Sequence, residues 1–217
     1  MTNILAIDTS SEACSIAIHA NGKTNYFHEI SSVKHSERIL SIVDELLLDS
    51  QIKIDELDLI ACGVGPGSFT GIRLSCSITQ GLGYSLELPV VGISSLLSIA
   101  HQLNKSKDIN KICCLVNAHM NQIYVGQYQF MSGKITESLE RVVNVSDFSM
   151  QSLNLDNSFV FLGDGCELIN IKTSAIIYPH AKSILELALI EFEQGKQSKP
   201  EELKPIYLSG EEHWRKV

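Results

Sequence analysis

The chain has 217 residues, of which 44% are hydrophobic and 19% charged, a composition typical of folded globular proteins with a sizeable core. Its formal net charge of −8 excludes the broad basic surface from which nucleic-acid-binding proteins gain most of their affinity, so strong direct RNA binding is not expected. No basic N-terminal stretch precedes an apolar one and no apolar run is long enough to cross a bilayer, which predicts a cytoplasmic protein.

The first half of the chain predicts an α/β lobe. A short apolar strand ends in Asp-Thr-Ser at 8–10, and two further strands meet at Asn-Gly in 21–22, a strong hairpin signal. A helix is predicted over 36–50, with Ser at its first position as the cap. The buried strand "LDLIACGVG" then leads into a glycine-rich loop and a second helix over 70–85, followed by the strand "PVVGIS" and a helix to about 104 that begins at a capping serine.

The polar stretch 104–108 is the predicted boundary between two lobes. Beyond it the order restarts with the strands "KICCLVN", "QIYVGQYQF" and "ITESLERVV", then "SFVFLGDG" and an amphipathic helix that ends near Gly195. No sequence repeat has a fixed period, but the shared order of elements predicts two related lobes, 1–104 and 105–217, that face each other across a cleft.

Four stretches resemble one family: "ILAIDTSSEACSIAI", "HSERILSIVDELL", "GVGPGSFTGIRLSCSITQGLGYSLELPVVGISSL" and "KPIYL". Together they are similar to TsaB (YeaZ) proteins, densely over 4–100 and sparsely afterwards, and "GPGSFTGIR" is the most specific element. The resemblance implies an α/β fold of two RNase H-like lobes, the fold of actin, sugar kinases and heat-shock ATPases, with a smaller or degenerate second lobe.

The same resemblance implies a role in tRNA modification. It implies a non-catalytic subunit of the machinery that installs threonylcarbamoyl on adenosine in tRNA next to the anticodon. Such a subunit pairs with a TsaD-like catalytic subunit through a helical bundle, and a TsaE-like ATPase joins them. We expect a homodimer when the chain is alone, contact with tRNA only through the complex, and no contact with membranes.

The residues also allow a vestigial anion or nucleotide cleft. Asp8 stands where active members of the fold carry a first-lobe carboxylate, whereas Asn117, in "CLVNAHMNQIYVG", stands where TsaB proteins usually have Asp-Ala-Arg. An asparagine cannot supply the negative charge that a metal-bound phosphate site favours, although Asp164 could compensate. The candidate cleft comprises Asp8, Thr9, Ser10, Gly65, Gly67, Ser68, Arg73 and Asn117.

The glycine loop before the second helix has two interpretations. Its amides could cradle an anion, or its glycines could serve a sharp turn with Thr70 as N-cap. We favour the turn because the loop lacks a lysine that could reach a phosphate. Arg73 is expected to pair with Asp8 or Glu12, or to face a partner's anion.

The predicted partner interface lies on the two helices. In the second helix, Gly71, Ser75, Thr79 and Gly83 follow one another at steps of four, a stripe that would allow close approach by another helix. The alternative is packing against the protein's own helix at 36–50, whose apolar residues are spread more widely than one face requires. The predicted set is Ile39, Leu40, Val43, Leu47, Gly71, Ser75, Ile78, Thr79, Leu82 and Gly83.

We expect no catalytic residue, no metal and no cofactor. Six cysteines include no Cys-X-X-Cys pair, so we expect reduced, mostly buried thiols, and neither a His-X-X-X-His nor a Walker A motif occurs. One alternative is an active kinase or carbamoyl transferase of the same fold, whose nucleotide binding would depend on Asp8. A second is a peptidase with Ser68 or a cysteine as nucleophile, although no histidine is evidently placed to activate either.

Overall fold

The computed structural model describes residues 2–30, 38–107, 109–175 and 177–208. The predicted helix start at Ser36 and the tail around Trp214 lie outside these ranges. All six cysteines lie inside them and are free and buried, as predicted. No helix in the described ranges is both long and apolar enough to span a membrane.

Two compact units divide the chain. The first comprises Met1–Ser98 and Pro179–Ile206, and the second comprises Ile99–Tyr178 and Tyr207–Val217. This division differs from the proposed boundary at residue 104 because the helix near the C-terminus packs on the first sheet. The lobes at 1–104 and 105–217 stay a prediction.

A five-stranded mixed sheet forms the centre of the first unit. Its order is β3-β2-β1-β4-β5. Strand β2 pairs antiparallel with β1 and with β3, whereas β4 pairs parallel with β1 and with β5. The central strand β1 is fully buried because helices cover both faces of the sheet. The strands are β1 (Ile4–Asp8), β2 (Ala13–Ala20), β3 (Lys23–Ile30), β4 (Leu59–Gly63) and β5 (Val90–Ile93).

Alternation along β1 divides the core of the first unit into two layers. Leu5 and Ile7 face a cluster that includes residues of the first two helices, whereas Ile4 and Ala6 face the last helix. The division between the two units falls between Ser98 and Ile99, within the third helix. The helices are α1 (Ile39–Ser50), α2 (Phe69–Ser85), α3 (Ser95–Lys107), α4 (Gly165–Leu168) and α5 (Ala181–Glu193).

The second unit repeats the topology of the first. Its four-stranded sheet has the order β8-β7-β6-β9, with two antiparallel pairs and a parallel β6–β9 pair. That order and those directions match β3-β2-β1-β4, which confirms the predicted α/β architecture of two related halves. The strands are β6 (Lys111–His119), β7 (Gln122–Met131), β8 (Lys134–Asn144) and β9 (Val160–Leu162).

A segment that we call the strap, residues 198–206, returns from α5 to the other side of the first unit. Ser198 exchanges two backbone hydrogen bonds with Val90 of β5, at 3.0 and 2.9 Å. The Gln80 amide of α2 donates to the Leu203 carbonyl at 3.0 Å, and the Leu203 side chain is buried in the core beside α1 and α2. The strap therefore fixes the C-terminal half of α2 to the edge of the sheet.

Gly83 is the position in α2 where this packing is closest. A Cβ atom there would lie 2.7 Å from the Val90 side chain and 3.0 Å from the ring of Pro200 in the strap, whereas a Cβ at Gly81 would meet nothing within 4 Å. Gly83 thus faces the protein's own strap, and Gly81 faces open space.

Replacing each glycine by alanine separates the two environments. Gly81→Ala should raise the free energy of unfolding by about 0.5–1 kcal/mol, the ordinary gain in helix propensity. Gly83→Ala should lower it by about 1–3 kcal/mol, because overpacking against Val90 and Pro200 outweighs that gain. Urea unfolding of the two variants measures the difference, and equal stabilisation by both would contradict this packing.

Candidate functional site

The turn after β1 lies against the glycine loop after β4. The Ser68 amide donates to the Ser10 carbonyl at 2.7 Å, and the Thr9 hydroxyl donates to the Gly71 carbonyl at 2.7 Å. The two segments meet because β1 and β4 are parallel neighbours whose carboxyl ends share one edge of the sheet. The structure thus brings together Thr9, Ser10 and Ser68 of the candidate cleft.

Two glycines are required by this contact. A Cβ at Gly67 would lie 2.2 Å from the Ser10 carbonyl oxygen, and one at Gly71 would lie 1.8 Å from that of Thr9. Either distance is too short for any side chain. These glycines therefore allow two segments of the same chain to approach, which supports the interpretation of the loop as a turn.

The loop ends at a helix cap. Ser68 has a non-helical backbone conformation, and its hydroxyl accepts a hydrogen bond from the Gly71 amide at 3.3 Å. The helix begins at Phe69, next to the predicted start at about Thr70. The predicted cap at Thr70 is wrong, because Ser68 is the cap. Ser68 takes the role because the chain turns into helical conformation immediately after it.

Asp8 is a buried carboxyl group held by its own turn. Its Oδ1 atom accepts hydrogen bonds from the Ser10 amide at 3.0 Å and the Ser10 hydroxyl at 2.9 Å. A Cβ atom at Gly63 would lie 1.7 Å from Asp8 Oδ2, so the glycine makes room for the carboxyl. Burial raises the pKa of Asp8 to about 6, although interactions with Ser10 and Ser95 oppose the rise.

Arg73 interacts with its own helix. Its guanidinium group lies 3.1 Å from the centre of the Phe69 ring, and Nη1 donates to the Phe69 carbonyl at 3.4 Å. Such stacking stabilises the guanidinium beside the first turn, where the helix dipole disfavours a cation. Its pairing with Asp8 or Glu12, or with a partner's anion, stays a prediction.

Asn117 lies in the second unit, at the end of β6. Its backbone N–H donates to Asp164 Oδ1 at 3.0 Å, and its side-chain Oδ1 accepts from the backbone N–H of His119 at 2.8 Å. Asn117 therefore shapes the turn into β7. Across the described ranges, no three His, Cys, Asp or Glu side chains are grouped as metal ligands.

Most of the predicted partner interface is buried within the first unit. The Ser75 hydroxyl donates to the Gly63 carbonyl at 2.8 Å, which directs the small-residue stripe of α2 toward the sheet rather than toward α1. Leu40 is exposed, and Gly71, Ile78 and Leu82 are partly accessible. The buried members are Ile39, Val43, Leu47, Ser75, Thr79 and Gly83.

A different face of these helices is accessible, and we call it the outer face. Leu40 and Leu48 of α1 are 56% and 78% exposed. On α2, Ser77, Gly81 and Ser85 are exposed at steps of four, beside the half-buried leucines and isoleucine. We missed these small residues by following the neighbouring stripe. The outer face comprises Leu40, Leu48, Leu74, Ser77, Ile78, Gly81, Leu82 and Ser85.

The two units, with sheets of related strand order, define a mixed α/β protein. The family model described as "TsaD: tRNA N6-adenosine threonylcarbamoyltransferase" matches residues 27–197. The solved structure of YeaZ from Pseudomonas aeruginosa has a TM-score of 0.86 and 29% identity, covering 96% of this chain and all of that one.

Two relatives are named tRNA threonylcarbamoyladenosine biosynthesis protein TsaB. The protein from Haemophilus influenzae is 33% identical, over 99% of this chain and 96% of its own length. The one from Escherichia coli is 30% identical, over 99% and 97%. The chain belongs to the TsaB family.

The raised pKa of Asp8 predicts a specific pH dependence. Because the folded value of about 6 exceeds the ordinary 3.8, ionisation costs the folded protein about 3 kcal/mol as pH rises through this interval. Asp8→Asn keeps an oxygen for Ser10 and removes the titration.

The measurement is the free energy of unfolding of both proteins between about pH 4 and pH 7. The advantage of Asp8→Asn over the wild type should grow by about 3 kcal/mol across this range and then stay constant. A difference that does not change with pH would show that Asp8 titrates normally.

Proposed function

We propose that this chain is a non-catalytic subunit of the cytoplasmic machinery that forms threonylcarbamoyladenosine in tRNA. It pairs with a TsaD-like catalytic subunit through the outer face, and the pair recruits a TsaE-like ATPase. Alone, the chain pairs with a second copy through the same face. Family membership supports the pathway, and the accessible outer face is the single observation that supports the role.

The outer face has the properties of a helix-packing surface. Helices pack at 8–10 Å between axes, and small residues permit the shorter distances. A Cβ atom at Gly81 would meet nothing within 4 Å, and Gly81 lies between the small residues Ser77 and Ser85, so another helix could approach this position closely. Leu40 and Leu48 add exposed apolar surface on α1. Two such helices from each of two chains would form a four-helix bundle.

Charge on α1 favours a different chain over a second copy. Asp44, Glu45 and Asp49 are exposed beside Leu48, and no basic residue lies in the last turn of this helix. Two copies that meet through α1 would bring like charges together, whereas a partner with basic side chains would complement them. The homodimer should therefore strengthen with added salt and the heterodimer weaken.

The first-unit residues of the candidate cleft support a non-catalytic role. The Asp8 carboxyl is engaged by Ser10, and the glycine loop is closed by its contact with the same turn. For the peptidase alternative, the Ser68 hydroxyl serves the helix cap. Burial raises the pKa of Cys14 to about 11 and of Cys113 to about 12, which keeps those thiols protonated.

Substitution of Gly81 tests the pairing. Gly81→Leu should reduce association with the TsaD-like chain by at least tenfold, about 1.4 kcal/mol or more, because a leucine side chain holds the helices apart. Gly81→Ala is the matched control and should retain pairing. Light scattering after size exclusion measures both with the partner. Pairing of Gly81→Leu at wild-type affinity would exclude the outer face.

The kinase alternative is tested at Asn117. Asn117→Asp should give no ATPase activity, and the wild-type chain should not bind Mg–ATP in equilibrium dialysis, because the first-unit carboxyl and loop remain engaged internally. Binding that Asp8→Ala abolishes, or activity gained by Asn117→Asp, would favour the active-enzyme alternative.

A further inference from the structure

Two stacked imidazoles join the start of α5 to the edge strand β3. The rings of His28 and His180 have centroids 4.4 Å apart and planes within 5° of parallel. Tyr26, on the same face of β3 as His28, contacts the His180 ring edge-on at 5.2 Å. The Lys182 ammonium lies 4.9 Å from the centre of the Tyr26 ring.

His180 is also the N-cap of α5. Its Nδ1 atom accepts a hydrogen bond from the Lys182 amide at 3.1 Å, so this nitrogen carries no proton in the observed arrangement. The Ser15 hydroxyl of β2 accepts from the Ala181 amide at 2.9 Å, and the Ser98 hydroxyl of α3 accepts from the His180 amide at 3.1 Å. One neutral ring thus completes the junction of α5 with the sheet.

His28 occupies an environment unsuited to a charge. Its Nδ1 atom is buried and has no hydrogen-bond partner among the residues that the structure describes, and burial lowers the pKa of this imidazole. A phenylalanine would stack on His180 without leaving a polar atom unsatisfied. The histidine therefore adds a titratable group at the contact without adding a hydrogen bond through Nδ1.

We infer that His28 and His180 form a proton-sensitive latch, which holds the N-terminus of α5 against β3 when both rings are neutral and releases it when His180 is protonated. A protonated His180 cannot accept from the Lys182 amide, and two charged rings in a stack repel each other. The positive end of the helix dipole adds to this repulsion.

The groups around His180 determine the direction of the effect. Tyr26 and His28 face it from β3, Ser15 from β2 and Ser98 from α3, and Lys182 and Glu186 lie on α5 itself. Burial, His28 and Lys182, in that order, lower the pKa of His180 to about 4, and Glu186 alone opposes them. Since the ordinary value is 6.5, the open state binds protons more readily, and the latch weakens as pH falls from 6.5 toward 4.

Hydrogen exchange of the full chain at pH 7.5 and 4.5, corrected for intrinsic exchange, tests the latch. Protection of the Ala181, Lys182 and Ser183 amides should fall at least tenfold more than protection of the β1 amides. His180→Asn supplies a capping acceptor without a titratable ring and should abolish the excess loss. His28→Phe keeps the stack and should reduce it.

His19→Asn is the matched control, because His19 is hydrogen-bonded to Thr24 in the hairpin of the same sheet. This variant should leave the excess loss of protection unchanged. Asp8 titrates in this range with the opposite sign and pairs with Ser15 in the sheet. The loss is therefore compared with that of His180→Asn, in which Asp8 still titrates. Equal loss in α5 and β1, or excess loss that persists in His180→Asn, would overturn the latch.

Discussion

The backbone contact between the turn after β1 and the loop before α2 is the constraint on which the first unit depends. Ser68 donates to Ser10, Thr9 donates to Gly71, and the absence of a side chain at Gly67 and Gly71 permits both contacts. With its first turn held there and its last turn held by the strap, α2 can present only one face to solvent. The glycine loop, which resembles a phosphate-binding loop in sequence, therefore holds the first turn of α2 against the turn after β1.

The same turn contains a carboxyl group that reduces stability when ionised. Asp8 is fully buried, and hydrogen bonds from Ser10 only partly offset its desolvation. Its pKa and that of His180 shift in opposite directions, since burial disfavours the charged form of an acid and of a base alike. Protonation should therefore stabilise the first unit at Asp8 and destabilise it at His180.

The sequence was informative wherever local chemistry determines structure. The Asn-Gly hairpin, the apolar strands and the helix-capping serine before α3 predicted elements that the structure contains. Long-range packing was not predictable in the same way. A step of four identifies a helix face but not its direction, so Gly83 was assigned to a partner although Pro200 lies against it. The His28–His180 stack joins residues with no common pattern, and only the folded sheet brings them together.

Hydrogen exchange of α1 and α2 with and without the TsaD-like chain tests the central claim most directly. Because the partner is proposed to bind the outer face on α1 and α2, it should protect the amides of Leu40 to Ser50 and of Ser77 to Ser85. Mg–ATP alone should leave the loop amides of Gly65, Gly67 and Ser68 unchanged. The opposite result would contradict the account. Protection of the loop by Mg–ATP would show that it binds a nucleotide, and no protection of α1 or α2 by the partner would show that the outer face does not bind it.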